Sequence, residues 1–391
     1  MKENKQQIIG IRICYYYFFI FGLTAMGFTP ALGKNFQDTF GFTNSDLGLL
    51  YAAASVVAVL ASLAGGALTD KIGALKTMII ACPAIALTAL LFWPKAGAAF
   101  FVVTFLLFNS AAMLTVAINV LGASLFGTRQ TERMAGMHGF QGLGRIIGPL
   151  VVGIVLGAGY RWQSVFLITA AVHLLYTFVF LYLGKLNVVP KLNPSKEKLP
   201  AVGLLKERAV LSGISSFFFC AAVESLYVYW TPVFLEKEAL LPKDQSMLTL
   251  SMMMAGLSIA RIAPLMLKPL KPFKALLYSV LLQLIATVIL VSTNDLIMLA
   301  ITGIMLGVSF GLYWPAALSR VYAITPQNRH GAIAGLAVTF SALGNMSFHT
   351  LFGYGAEAYS IGFTLTVIPL LSVFFAMLFL GCRKSSEQEI N

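Results

Sequence analysis

The chain has 391 residues, 58% of them hydrophobic and 11% charged, with a mean hydropathy of +0.84. Soluble domains carry about 25% charged residues, so this composition excludes an ordinary soluble enzyme or binding module and places the chain in lipid. The net charge of +12 invites a polyanion partner, yet the basic residues fall between apolar stretches on one side of an implied membrane, which excludes nucleic acid as their purpose.

A transmembrane helix needs about 20 apolar residues. Twelve such stretches follow one another, at roughly 8–33, 45–69, 76–94, 96–127, 134–159, 161–186, 207–236, 246–267, 272–293, 295–324, 329–355 and 359–382. The segment Leu186 to Lys206 differs from all of them, with Pro190, Pro194 and Pro200 set among Lys191, Lys196, Glu197 and Lys198, and reads as a linker. The expected organisation is an all-α integral membrane protein of two six-helix bundles, 1–186 and 207–391, joined by the linker 187–206. With a cytoplasmic N-terminus the outer loops hold only Lys34, Lys95, Arg161, Lys237 and Lys243, and the other loop cations lie inside. Both termini and the linker are therefore expected in the cytoplasm, in a bacterial inner membrane. The first span lacks a small-residue cleavage site and is read as retained. Cys14, Cys82, Cys220 and Cys382 lie in or beside apolar runs and give neither a disulfide framework nor a metal spacing.

In chain order, the first informative loop joins spans two and three: Gly66-Ala67-Leu68-Thr69-Asp70-Lys71-Ile72-Gly73-Ala74-Leu75-Lys76. Asp70, Lys71 and Lys76 exclude hydrocarbon, Gly73 suits a turn with positive φ, and Gly66 suits close helix packing. The spacing resembles the loop signature of the major facilitator superfamily, with Ala74-Leu75 where a basic pair is usual. That resemblance implies a cytoplasmic gate at Asp70, with Arg129 or Arg133 as basic partner and the N-terminus of helix eleven opposite. On the fifth span, Gly144-Arg145-Ile146-Ile147-Gly148-Pro149 with Gly153 looks like the glycine-proline signature of the superfamily's exporters. Asn119-Val120-Leu121-Gly122 and Met137-His138-Gly139-Phe140-Gln141-Gly142-Leu143-Gly144 resemble its fucose:proton symporter branch over helices four to six. Thr115 stands where that branch has an acid, so fucose itself is not implied.

Ionisable groups inside spans are costly and few. Glu224 lies near the middle of helix seven, with Cys220, Tyr227 and Thr231 on the same face and Pro232 beyond. A carboxyl in hydrocarbon can take up and release a proton near neutral pH, as a proton carrier requires; pairing in a purely structural role is the other reading. Arg145 on helix five, in line with His138 and Gln141, is its expected counterion and also a candidate for an anionic solute. Arg261, near the end of helix eight, is expected to snorkel to the interface. Ser341, Asn345 and His349 form a polar stripe on helix eleven, and Asn119, Tyr227, Tyr313 and Trp314 complete the expected lining of a solute site at the interface of the two halves. His173 reads as a satisfied interhelical group, and Arg161-Trp162 as an interfacial anchor.

The composite expectation is a monomeric, proton-driven secondary transporter of a small polar organic solute, a sugar or an organic acid, working by alternating access. The alternatives are an antiporter exporting drugs or a secreted metabolite and, from another class, a transporter-like receptor. No Gly-x4-Gly-Lys-Ser/Thr loop, metal cluster or nucleophile-base-acid set is present in the sequence, so neither an enzyme, a cofactor nor ATP hydrolysis is expected.

Overall fold

The computed structural model describes residues 5–126, 129–187, 189, 205–266, 272–311, 313–325 and 330–381. Most of the linker Leu186 to Lys206, the turn Lys268 to Lys271, Cys382 and the Trp314 side chain lie outside the described residues. Among the described residues the regular structure is all helical. Seven of its helices are long and apolar enough to cross a membrane, and three shorter ones are equally apolar. Together with the helices Lys243–Met266 and His330–Ala358 they make the twelve spans of an all-α membrane fold.

The chain divides into two compact units, Met1–Gly41 with Ala53–Ser195, and Phe42–Ala52 with Lys196–Asn391. The division is not a single cut in the linker, because the first residues of the second span belong with the second unit.

In the first unit, span one is continuous from Lys5 to Phe40 and so longer than its apolar run. It comprises α1 (Lys5–Phe21), a π-helical stretch (Gly22–Phe28), a 3-10 turn (Thr29–Leu32) and α2 (Gly33–Phe40). Pro30 sits in the 3-10 turn, where its missing N–H is best tolerated. Gly41 ends α2 at φ +68°, donating to the Gln37 carbonyl at 2.8 Å. Then follow α3 (Asn44–Ile72), α4 (Ala74–Leu90), α5 (Ala98–Asn109), α6 (Ala112–Phe126), α7 (Gln130–Gly157) and α8 (Ser164–Lys185). A reciprocal cap starts α3: Thr43 N donates to Asp46 and Asp46 N donates to Thr43 Oγ1. Span four breaks at Ser110, where Asn109 Nδ2 takes the Phe105 carbonyl and the chain tightens to three-residue hydrogen bonds.

Glycine sets the helix spacing. A Cβ on Gly144 would stand 2.1 Å from the Phe19 carbonyl oxygen, and one on Gly148 would stand 2.6 Å from Gly27 Cα, so the signature glycines of α7 let it lie directly on span one. The close glycine on α3 is Gly65, whose Cβ would meet Met113 at 2.7 Å. Gly66 has Val116 only at 4.0 Å, so the close-packing role expected of Gly66 falls one residue earlier. Gly73 adopts φ +90°, as the turn requires.

The second unit holds α9 (Arg208–Lys237), α10 (Lys243–Met266), α11 (Pro272–Ser292), α12 (Leu296–Gly311), α13 (Tyr313–Ala323), α14 (His330–Ala358) and α15 (Ile361–Gly381), with α12 and α13 sharing the tenth span. The packing device recurs. A Cβ on Gly344 of α14 would fall 1.8 Å from the Phe218 carbonyl oxygen of α9, and one on Gly307 of α12 would fall 1.9 Å from that of Met253 on α10. Glu238 closes the end of α9 by accepting from the backbone N–H groups of Ile361 and Gly362, which start α15.

Candidate functional site

Three polar clusters in the second unit carry the chemistry. The first is an ion pair. Arg261 Nη2 of α10 lies 3.0 Å from Glu224 Oε2 of α9, with side chains 38% and 22% exposed. Arg261, expected to snorkel, also has a partner within the bundle: its guanidinium donates to the acid of the neighbouring helix, where a carboxylate in an apolar setting needs a cation. Within the second unit, the cation beside Glu224 is Arg261. At this partial exposure the pair contributes little stability, about 1 kcal/mol or less, so it can be made and broken.

His349 anchors the second cluster. Its Nε2 lies 2.7 Å from Ser225 Oγ, and Trp230 Nε1 donates to its Nδ1 at 3.2 Å. The rings of Tyr51 and Tyr229 meet the imidazole edge-to-face. A little further along, Asn44 joins the same unit: Lys237 Nζ donates to Asn44 Oδ1 at 3.1 Å, and Asn44 N donates to Glu357 Oε2 at 2.8 Å. The third cluster is buried in the bundle. Tyr313 and Ser372 both donate to Gln283 Oε1, Thr287 donates to the Gln283 carbonyl, and Tyr227 shares a hydrogen bond with Thr287. Tyr227 and Tyr313, expected in the solute lining, are fully enclosed here, with their hydroxyls taken by Thr287 and Gln283 of α11.

Two carboxamides remain open. Asn119 on α6 donates to the Thr115 carbonyl, but its Oδ1 is buried without a hydrogen-bond donor among the described residues; Asn345 Oδ1 on α14 is in the same state. Ser341, beside Asn345 on the stripe, spends its hydroxyl on the Ala337 carbonyl. In the first unit Gln141 donates to Met26 Sδ at 3.3 Å, exposed His138 meets Phe18 edge-to-face, and Arg145 is half-buried on the same helix. His173, expected as a satisfied interhelical group, bonds within its own helix instead: Nδ1 faces the Thr169 carbonyl one turn back, Nε2 is buried without a hydrogen-bond partner among the described residues, and only the ring reaches another helix, packing edge-to-face on Tyr17.

At the gate motif, Asp70 and Lys71 are exposed. Arg133 donates to the Phe126 carbonyl at 3.1 Å, whereas no ion pair joins Asp70 to a basic residue among the described residues. Of the pair expected as an interfacial anchor, Trp162 is 7% exposed and sits in a cluster with Phe36, Phe92 and Phe101, while the Arg161 guanidinium lies over Trp93, which is 45% exposed. Gln283 and the Arg261 partnership were missed. A lone glutamine in the middle of an apolar span was the signal for the first; the second needs the packing of two helices that sequence spacing does not give. No cluster of metal-ligating side chains occurs among the described residues.

A profile described as Major Facilitator Superfamily matches residues 15–349. Over 351 residues, 88% of this chain and 87% of the other, the sequence is 25% identical to the quinolone resistance protein NorA of Staphylococcus aureus (strain COL). Among solved structures, a variant of the nucleoside transporter NupG aligns with a TM-score of 0.79 at 17% identity, covering 97% of this chain and 100% of that one. A bacterial homologue of the human lysosomal transporter Spinster aligns with a TM-score of 0.74 at 13% identity, covering 96% of each. At such identities the structural likeness speaks for the fold.

Proposed function

Because the chain belongs to the major facilitator superfamily, and is thus a multi-pass membrane transporter rather than an enzyme, we propose that it couples proton movement to transport of a small polar organic solute, with Glu224 as the proton site. The observation that carries this reading is the Glu224–Arg261 pair, a carboxylate in the middle of α9 held by a cation near the end of the neighbouring apolar helix α10. Ionised, Glu224 is held by Arg261. Protonated, it loses the charge that holds the guanidinium, and α9 is released from α10 at that point. Each cycle of pairing and release takes up one proton and returns one. Removing either partner leaves the other charge poorly compensated, which is how the state of the pair biases the conformation of the unit.

For the solute, the unsatisfied Oδ1 atoms of Asn119 and Asn345 support a molecule rich in hydroxyl or N–H donors, a class that includes sugars and nucleosides. Arg145, His138 and Gln141 add a subsite for an acidic group. Asp70 with Gly73 and Lys71 keeps its reading as a gate element. The lysine and arginine distribution supports an orientation with both termini cytoplasmic; a monomer in a bacterial inner membrane remains part of the same proposal. A second reading, proton-driven export of an amphipathic compound, is favoured by the 25% identity to NorA over most of both chains.

Reconstitution into proteoliposomes tests both. Under an imposed pH gradient, a panel of sugars, nucleosides, organic acids and quinolones is followed together with lumenal pH. Symport acidifies the lumen as solute enters, antiport does the reverse, and solute flux without proton flux would overturn the coupling. Orientation is tested by labelling from outside in a Cys382→Ser background: Lys237→Cys reacts and Lys71→Cys does not, with Cys14, Cys82 and Cys220 buried.

A further inference from the structure

The first unit contains a pocket that the transport reading does not use. It lies at one end of the unit, where α2 ends and where the α4–α5 and α7–α8 turns meet, and encloses about 650 Å³, within the roughly 300–1,000 Å³ of small-molecule sites. Its floor is aromatic and rigid. Phe92, Phe101 and Trp162 are at most 7% exposed, Phe40 stacks on Phe101 at 4.4 Å between centroids, and Trp162 Nε1 donates to Thr39 Oγ1 at 3.0 Å. Its rim is cationic. Arg161 is held in place by the Trp93 carbonyl, at 3.3 Å, and by the Trp93 ring, at 5.1 Å, and Lys95 stands exposed with no ion pair among the described residues. No acidic residue lines the pocket. Gln163 adds a buried amide to the same wall.

From this geometry we infer that the pocket binds an anionic phospholipid, its phosphate between Lys95 and Arg161 and its glycerol and upper acyl chain against the aromatic floor. The charge complementarity is one-sided: two cations and no acid call for an anion. The floor calls for an apolar body attached to that anion, which inorganic phosphate lacks. The position selects the source. The pocket opens where apolar spans end, beside exposed Trp93, Phe100 and Leu91, so it faces the depth at which headgroups lie and aromatic belts form.

The test uses the full-length protein in detergent micelles, offered equal phosphatidylglycerol and phosphatidylcholine and analysed by native mass spectrometry. One phosphatidylglycerol per chain is expected to be retained in preference to phosphatidylcholine. Each rim cation near a lipid phosphate contributes about a fivefold preference, so Lys95→Gln should lower the ratio about fivefold and Lys95→Gln with Arg161→Gln should abolish it. Lys95 is exposed and unpaired, so its single substitution leaves folding intact and stands as the deciding variant. An unchanged ratio in Lys95→Gln, or no preference in the unaltered protein, overturns the inference. Displacement of the lipid by millimolar inorganic phosphate also overturns it, by showing a site for a free anion.

Discussion

The two units pack their helices by one device and differ in what they bury. In the first, Gly144 and Gly148 lay α7 on span one; in the second, Gly344 lays α14 on α9 and Gly307 lays α12 on α10. Each contact puts backbone against backbone. The described acids of the first unit, Asp38, Asp70 and Glu132, lie near helix ends, whereas the second holds Glu224 in mid-helix against Arg261 and gathers Ser225, Trp230 and two tyrosines about His349. The difference teaches that the two units share a mechanical plan but not a chemical one. Close packing can be duplicated freely, while a carboxylate in mid-helix is costly enough to come with a cation set beside it.

The largest effects test the shared half of this comparison. Gly344→Ala would drive a methyl group into the Phe218 carbonyl, which has no rotamer to escape to. The expected cost is about 3 kcal/mol or more, read as loss of folded protein in size-exclusion chromatography. Gly144→Ala should do the same in the first unit, and a normal yield from either would break the equivalence.

Next comes the chemical asymmetry. Glu224→Gln should abolish accumulation driven by a pH gradient while sparing exchange of labelled for unlabelled solute; continued accumulation would remove the second unit's special role. Combining it with Arg261→Leu should show a coupling energy of about 1 kcal/mol or less in a stability cycle, as a partly exposed pair predicts. His349→Ala then orphans the Trp230 indole N–H and should lower stability by about 1–3 kcal/mol in thermal unfolding.

Two smaller effects sharpen the picture. Asp70→Asn should slow transport about fivefold with little change in apparent affinity, since a screened charge near a helix end is worth about 1 kcal/mol or less. An unchanged rate with normal expression would leave Asp70 as plain surface. Gly335→Ala, on the same helix as Gly344 but with nothing within 4 Å of the new Cβ, should raise stability by about 0.5–1 kcal/mol. The contrast between two glycines nine positions apart separates packing from helix propensity.

The architecture was legible because hydrocarbon imposes one rule, about 20 apolar residues per span, and the chain obeys it even where α5 and α6 break at Ser110. Gly73 was legible because only a turn explains it. The pairings were not. Arg261 looked interfacial from its place in its own helix, and only the packing of α10 on α9 brings it to Glu224. Tyr227 and Tyr313 shared faces with polar residues, but helical periodicity cannot tell a face turned to solute from one turned to a buried glutamine such as Gln283. Gly65 and Gly66 are adjacent, and which of them touches Met113 depends on helix rotation, which composition does not encode.

The π-helical stretch Gly22–Phe28 has a consequence for how this sequence can change. A π turn amounts to a residue inserted into an α-helix, so span one carries slack in its numbering beside α7. A one-residue deletion between Gly22 and Phe28 can be absorbed by reverting to α geometry. The same deletion in α7 would turn everything beyond it by about 100° and carry Gly144 or Gly148 off its partner. Length variants of this protein should therefore survive in the one stretch and vanish from the other.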